Sequence, residues 1–158
     1  YRQNIKIASF TYSEPYSQSL NYNGLNEFNL SKNNSKDLDD KYGSIQMIKT
    51  HNNDLDILQE NRVHKVLYGK TVLYNEDGSS NVAKSDLPFE SVIPYSGEYG
   101  TIHPESVASY GNYLYWVDAK RGTPLRKGQS GIEAINYGLV NWFRDYLKLN
   151  YRCIIIIY

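Results

Sequence analysis

Asn112-Tyr113-Leu114-Tyr115-Trp116-Val117-Asp118 is the stretch on which the fold turns. Residues 113–117 are all aromatic or aliphatic, a composition that favours pleated strand. Gly111-Asn112 precedes them and Lys120-Arg121-Gly122 follows, and both read as turns, because glycine accepts the positive φ that tight turns demand. Strand alternation puts Tyr113, Tyr115 and Val117 on one face and Leu114 with Trp116 on the other. Both faces are apolar, which predicts a strand buried between layers. Asp118 and Arg121 are placed to close the following turn through a hydrogen bond or ion pair.

A second copy of this pattern lies upstream at a constant offset of 59 residues. Leu55 matches Leu114, Ile48 matches Val107, Asn53 matches Asn112, and Leu58 matches Val117. Arg62 then matches Arg121, Val66 matches Leu125, and Gly69 matches Gly128. Each copy reads as short strand, Asn turn, apolar strand, Arg turn, short strand, Gly turn. That is how a β-propeller blade is written, although blades usually repeat at about 40–50 residues. A loop excursion over 79–104, holding Pro88, Pro94, Gly97, Gly100 and Pro104, accounts for the excess. Any antiparallel β domain produces similar echoes, so a β-sandwich or β-barrel piece stays open beside the propeller.

Working outward, strands are predicted at Ser44–Lys49, Leu55–Gln59, Val63–Leu67 and Thr71–Tyr74, with Asp77-Gly78 as a tight turn. Further strands are predicted at Glu105–Ser109, Thr123–Arg126 and Ile132–Ile135. Residues 1–43 are weakly patterned, with strand-like alternation at Asn4–Ala8 and Glu27–Leu30. Residues 44–135 form the hairpin-repeat domain. Over 136–149, Leu139, Trp142, Phe143, Tyr146 and Leu147 recur at helical spacing, with Asn136 as cap and Asn141, Arg144, Asp145 and Lys148 opposite. Residues 150–158 read as a frayed or truncated end, since exposed Ile154–Ile157 would invite aggregation. The start at Tyr1, without Met or a signal-like segment, reads as an excerpt from a longer protein. The expected fold is mainly β, with antiparallel hairpin repeats in a propeller-like partial domain and one short C-terminal amphipathic helix.

The chain has 158 residues, with 17 Lys plus Arg balancing 17 Asp plus Glu. That balance argues against a dedicated nucleic-acid binder, which carries a basic surplus. Mean hydropathy is −0.59, polar for a folded domain. The 16 tyrosines against 4 phenylalanines favour strands with one wet face and argue against disorder. The lone Cys153 forms no internal disulfide and no cysteine-based zinc cluster, and no apolar run reaches membrane-span length.

Motifs for chemistry are scarce. His51, His64 and His103 lack metal-ligand spacing and read as surface or turn residues. Asp37, Asp39 and Asp40 fail the calcium-loop pattern because Lys41 and Tyr42 stand where an acid or amide and a glycine belong. There is no phosphate-binding loop, dinucleotide fingerprint or nucleophile elbow, and Ser106 lacks flanking glycines. Glu98, Glu105 and Asp118 are carboxylates available for a glycosidase-like propeller. Tyr110, Tyr113, Tyr115 and Trp116 are available as a sugar platform, although core packing is the stronger reading. No cofactor is expected. The residues singled out as turns are Arg62, Gly69, Asp77, Gly78, Asp118, Arg121 and Gly122. Those singled out as core are Leu55, Leu114, Tyr115, Trp116, Trp142 and Phe143.

Several segments occur in a telling order: Asp54-Leu55-Asp56-Ile57-Leu58-Gln59-Glu60-Asn61-Arg62-Val63, then Leu73-Tyr74-Asn75-Glu76-Asp77-Gly78, then Ile93-Pro94-Tyr95-Ser96-Gly97-Glu98-Tyr99-Gly100. Pro104-Glu105-Ser106, Tyr115-Trp116-Val117-Asp118-Ala119-Lys120-Arg121-Gly122, Tyr137-Gly138 and Trp142-Phe143-Arg144-Asp145 follow. With these, the span from about Tyr42 to Asp145 resembles structural proteins of short-tailed phages, including crAss-like phages, in the tail nozzle or muzzle family. The family continues its Arg-Gly turn with a β-branched residue and Arg-Leu-Ser, whereas this chain has Thr123-Pro124-Leu125-Arg126-Lys127. That proline predicts an edge strand, and Tyr146–Tyr158 has no counterpart. The resemblance implies a non-catalytic virion component, in a homo-oligomeric ring of the phage tail, contacting other tail proteins and, non-specifically, genomic DNA in transit. The competing reading from the residues is a carbohydrate- or receptor-binding β module of a tail fibre or bacterial surface protein, with the glycosidase-like propeller third.

Overall fold

The structure, a computed structural model, describes residues 5–14, 16–29, 31, 34–51, 54–75, 79–84 and 89–149. The chain divides into two compact units, Tyr1–Ser44 and Ile45–Tyr158. It is mainly β, with antiparallel sheets and one short C-terminal helix.

The first unit holds β1 (Ser9–Thr11), β2 (Tyr16–Ser17), β3 (Tyr22–Asn23) and β4 (Ser35–Asp37), with β1 paired to β4 and β2 to β3. The strand expected at Asn4–Ala8 starts instead at Ser9, and Asn4 lies outside the described residues. Residues 27–29 form no strand, and Leu30 lies outside the described residues. Polar ties hold the unit: Thr11 Oγ1 donates to the Asn34 carbonyl at 2.7 Å and Asn34 Nδ2 donates to Glu14 at 2.9 Å. Ala8 is its only buried hydrophobic residue among those described, while Ile5, Leu20, Leu25 and Phe28 are exposed.

The second unit runs β5 (Ile45–His51), β6 (Asp54–Gln59), β7 (Val63–Leu67), β8 (Lys70–Tyr74), β9 (Ser80–Lys84) and β10 (Ser91–Pro94). It continues with β11 (Ala108–Tyr110), β12 (Tyr113–Asp118), β13 (Thr123–Gly128), β14 (Gly131–Ala134) and α1 (Val140–Leu149). Two four-stranded antiparallel sheets result, called the first and second meander: β10-β7-β6-β5, in which β10 joins the β5–β7 meander after the separate β8-β9 hairpin, and β11-β12-β13-β14. Residues 79–104 are therefore not a loop excursion: they supply β9 and the outermost strand of the first meander. Pro94 ends β10 at that edge, where a missing N–H disturbs no ladder. Asp77 and Gly78 lie outside the described residues; Tyr74 of β8 pairs with Ser80 of β9.

The 59-residue repeat holds for the first hairpin of each meander. Thr50 pairs with Leu55 and His51 with Asp54, as Ser109 pairs with Leu114 and Tyr110 with Tyr113. It breaks at the Arg turn, where the offset is 59 between Leu58 and Val117 but 61 between their partners Val63 and Pro124. Gln59 N–H reaches the Arg62 carbonyl across a two-residue tip, whereas Asp118 pairs with Thr123 across a longer turn.

Three expectations are corrected here. The strand expected at Glu105–Ser109 begins only at Ala108, because Pro104–Ser106 form a 3₁₀ turn that Pro104 opens and in which Ser106 Oγ donates to the His103 carbonyl at 2.7 Å. β13 is a central strand despite Pro124. The Pro124 carbonyl accepts from Ile135 N–H at 3.1 Å, so its missing N–H points to the same side, beyond the end of β14. β12 is buried on one face only: Leu114, Trp116 and Asp118 are buried, while Tyr113 is exposed and Tyr115 and Val117 are half-buried.

The helix starts at Val140 rather than 136. Gly138 adopts φ +74, and the Asn136 carbonyl closes a turn with Leu139 N–H instead of capping the helix. Leu147 is buried and Phe143 half-buried, but Leu139, Trp142 and Tyr146 are exposed, with the Trp142 and Tyr146 rings stacked at 5.0 Å. The expected apolar face is thus only partly turned inward. The helix backbone docks at Gly122 (φ +65), where an added Cβ would stand 2.6 Å from the Arg144 Cα. Among the described residues, no helix is long and apolar enough to cross a membrane.

Candidate functional site

The chemistry of the second unit is concentrated in the seam between its meanders. Leu58 and Val63 of the first meander pack with Leu114, Trp116 and Leu125 of the second. Beside this apolar centre, Asp56 on β6 is fully buried and forms an ion pair with buried Lys127 on β13. Tyr95 adds its hydroxyl to Asp56 at 3.3 Å, and Lys127 Nζ sits 5.4 Å from the Tyr95 ring centre. Burial pushes the Asp56 carboxyl above its usual range, opposed by the Lys127 ammonium. Burial, with the charges of Asp56 and Asp54, pushes the Tyr95 phenol up, so it stays protonated and donates.

A strap at Gly100-Thr101 closes the other side of the seam. Gly100 N–H donates to Asp118 at 3.2 Å, and Trp116 Nε1 donates to the Gly100 carbonyl at 3.2 Å. Thr101 N–H reaches the Gln59 carbonyl at 3.1 Å, and its hydroxyl reaches the Val117 carbonyl at 3.0 Å. Lys120 then bridges to Glu60 at 2.8 Å. A Cβ on Gly100 would lie 2.4 Å from the Gln59 and Glu60 backbone, so the close approach requires glycine.

Between the meanders, at the end holding the Gly111-Asn112 and Gln129-Ser130 turns, lies a cleft of about 350 Å³. Its first-meander wall includes His51, Asp54, Lys65 and Tyr95, and its opposite wall Asn112, Lys127, Gly128 and Gln129. Lys65 and Asp54 pair at 2.5 Å. His51 is 7% exposed, and neither ring nitrogen has a hydrogen-bond partner among the described residues.

The residues singled out from sequence separate into distinct places. Leu114 and Trp116 are core. Asp118 accepts from Arg121 N–H at 3.1 Å and pairs with the Arg121 guanidinium at 3.0 Å. Arg62 reaches the Tyr95 carbonyl at 3.4 Å, and Gly69 takes φ +61 in the turn after β7. Leu55 is half-buried, unlike its counterpart Leu114. Trp142 and Phe143 meet edge to face at 4.9 Å on α1. Of the carboxylates, Asp118 is buried and spent on Gly100 and Arg121, Glu98 is exposed 3.7 Å from Arg121, and Glu105 pairs with His103. The four aromatics form no common platform: Trp116 is buried on the inner face, while exposed Tyr110 and Tyr113 lie on the outer face.

His51 and His64 are buried, not surface residues. His51 ends β5 opposite Asp54, and His64 is the second residue of β7, opposite Ile57. The motifs of the sequence do not single out the seam residues Asp56, Tyr95 and Lys127. Asp56 did carry a signal, since an acid inside the apolar run Leu55-Asp56-Ile57-Leu58 requires a buried partner. Among the described residues, no cluster of three or more His, Cys, Asp or Glu side chains is placed to hold a metal ion. Comparison with known proteins gives no match, to a family or to a curated sequence.

Proposed function

We propose that the chain is a non-catalytic structural module of a phage tail, of the nozzle type that its ordered motifs resemble. It works in the virion, in a homo-oligomeric ring beside other tail proteins. The observation that carries this reading is the way the meanders meet. Leu55 and Leu114 hold the same place in the same hairpin, so Asp56 corresponds to Tyr115 and Leu58 to Val117. Yet the first meander turns Asp56 and Leu58 to the seam, and the second turns Leu114 and Trp116. Equivalent strands thus meet through opposite faces. A contact of that kind repeats, because each unit offers the next the face its predecessor used. Like faces would instead close as a pair.

The face left open by the second meander carries Tyr113, Tyr115, Val117 and Arg126. A further meander stacked there, from the same polypeptide or a neighbouring copy, continues a propeller-like array with few free strand edges. The first unit fits an assembled state too: it buries Ala8 and leaves Ile5, Leu20, Leu25 and Phe28 for a neighbour to cover. Zero formal charge suits a channel wall that passing DNA slides along without being held.

Electron microscopy and size-exclusion chromatography of the protein test the reading. Rings or ordered stacks are expected, and Tyr115→Glu in the open face should disperse them without changing the far-ultraviolet circular dichroism. A protein that stays monomeric at every concentration and never enters virions rules it out.

A further inference from the structure

Among the described ion pairs of the second unit, Asp56–Lys127 is the one with neither side chain open to water. Lys127 is 6% and Asp56 0% exposed, whereas every partner in Lys65–Asp54, Lys120–Glu60 and Arg126–Glu133 is 27% exposed or more. The repeat does not require this pair. Tyr115 on β12 matches Asp56, and Val66 on β7, paired with Leu55 as Lys127 is with Leu114, matches Lys127. A buried ion pair also adds little stability over apolar residues of the same volume. Neither the hairpin nor simple packing explains why an amine and a carboxyl group meet here.

A primary amine and a carboxyl group are the two reactants of an amide. In bulk water the condensation is opposed by hydration of both ions and by the mass action of water. At this seam both obstacles are removed by burial. β6 lies between β5 and β7, and β13 between β12 and β14, so each group is carried on a strand held from both sides. Positioning of this kind gives effective concentrations of about 10⁵–10⁸ M in favourable cases. Burial also favours the protonated form of the Asp56 carboxyl, the form that can lose an oxygen as water. The Tyr95 hydroxyl donates to Asp56 Oδ1 at 3.3 Å, where negative charge gathers when the carbonyl carbon is attacked. Lys127 Nζ contacts the other oxygen, Oδ2.

We infer that Asp56 and Lys127 condense into a side-chain amide that joins β6 to β13 covalently. The ammonium proton passes to Oδ2, leaving an amine beside a carboxylic acid. Nζ attacks Cγ, the C–N bond forms, and Tyr95 holds Oδ1 of the tetrahedral centre. A second Nζ proton moves to Oδ2, the Cγ–Oδ2 bond breaks, and one water leaves. The step needs no co-reactant. The ion pair is the reactant, present in freshly folded protein, and the amide accumulates from it. The crosslink ties together residues 71 apart in the chain. The inference does not rest on the phage-tail reading, and the ring test and the mass test fail independently.

The test is intact-mass spectrometry of the whole protein, denatured after increasing times of incubation at neutral pH. Loss of the mass of one water is expected. A succinimide at Asp77-Gly78 would shed the same mass, so a tryptic map decides: residues 50–62 should appear joined to residues 127–144, with cleavage after Lys127 blocked. Lys127→Arg keeps a cation opposite Asp56 but has no primary amine, and should retain the full mass. Tyr95→Phe removes the hydroxyl on Oδ1 and should slow the loss about a hundredfold with the far-ultraviolet circular dichroism unchanged. The inference is overturned if the folded parent keeps its full mass, if the lost water maps elsewhere, or if Lys127→Arg loses it as the parent does. An unchanged rate in Tyr95→Phe overturns the role given to Tyr95.

Discussion

Replacing Lys127 by Met removes one half of the ion pair that ties β6 to β13 and keeps most of the aliphatic volume. Asp56 is 0% exposed and Lys127 5% exposed, so neither charge has water to fall back on. Stranding a buried charge in this way costs about 3–5 kcal/mol. For a unit of this size, that lowers the melting temperature by about 12–20 °C. The loss depends on pH, and its sign is fixed by burial. The folded pKa of Asp56 already lies above its ordinary value, and removing Lys127 takes away the group that lowers it. An acid whose folded pKa is raised binds more protons in the native state. Its contribution is therefore fully present below the unfolded pKa of about 3.9 and is lost as pH rises through the folded value. Lys127→Met should therefore be more damaging at neutral pH than in mild acid. The double variant Asp56→Leu with Lys127→Met removes both charges and should fall within about 1 kcal/mol of the parent or exceed it. Urea unfolding at neutral and mildly acidic pH, fitted with a common slope, measures all three proteins. A single variant within about 1 kcal/mol of the parent and insensitive to pH would refute the seam as a dry, charge-paired contact.

Two further outcomes follow from backbone contacts. Gly100→Ala places a Cβ 2.4 Å from the Gln59 and Glu60 backbone, so the strap must lift and stability should fall by about 1–3 kcal/mol in the same unfolding assay. Gly122→Ala sets a side chain 2.6 Å from the Arg144 Cα at φ +65; α1 should undock, read as loss of helical circular dichroism and a shift in tryptophan emission, with the meanders intact.

The parts of the fold legible in the sequence are those set by local chemistry. β6, β7 and β12 are apolar runs bounded by Asn, Arg and Gly turns, and they appear nearly where the alternation puts them. β10 was not legible, because four residues ending in proline read as loop and become a strand only through pairing with β7. The site was less legible than the fold. Asp56, Tyr95 and Lys127 are separated along the chain, and an ion pair between meanders leaves no mark at fixed spacing. Strand register and packing, not residue type, decide whether a histidine is buried, so no local mark in the sequence shows that His51 and His64 are.

Which face of a meander turns inward is the property a repeat in sequence conceals, and it makes the two halves unequal. At matched positions stand Asp56, facing the buried Lys127, and Tyr115, facing outward beside Tyr113 at 6.2 Å between ring centres. Arg126 already lies 4.8 Å over the Tyr113 ring and pairs with Glu133 at 2.6 Å. A unit stacking on this face meets tyrosine rings where Lys127 meets a carboxylate. The second seam is then built from aromatic packing and cation–π contact rather than a buried ion pair. Arg126 and Glu133 are paired with each other within the face, so stacking there leaves no unpartnered charge. On the proposed assembly, the closed seam holds the module rigid and the open tyrosine face is its joint to a neighbour.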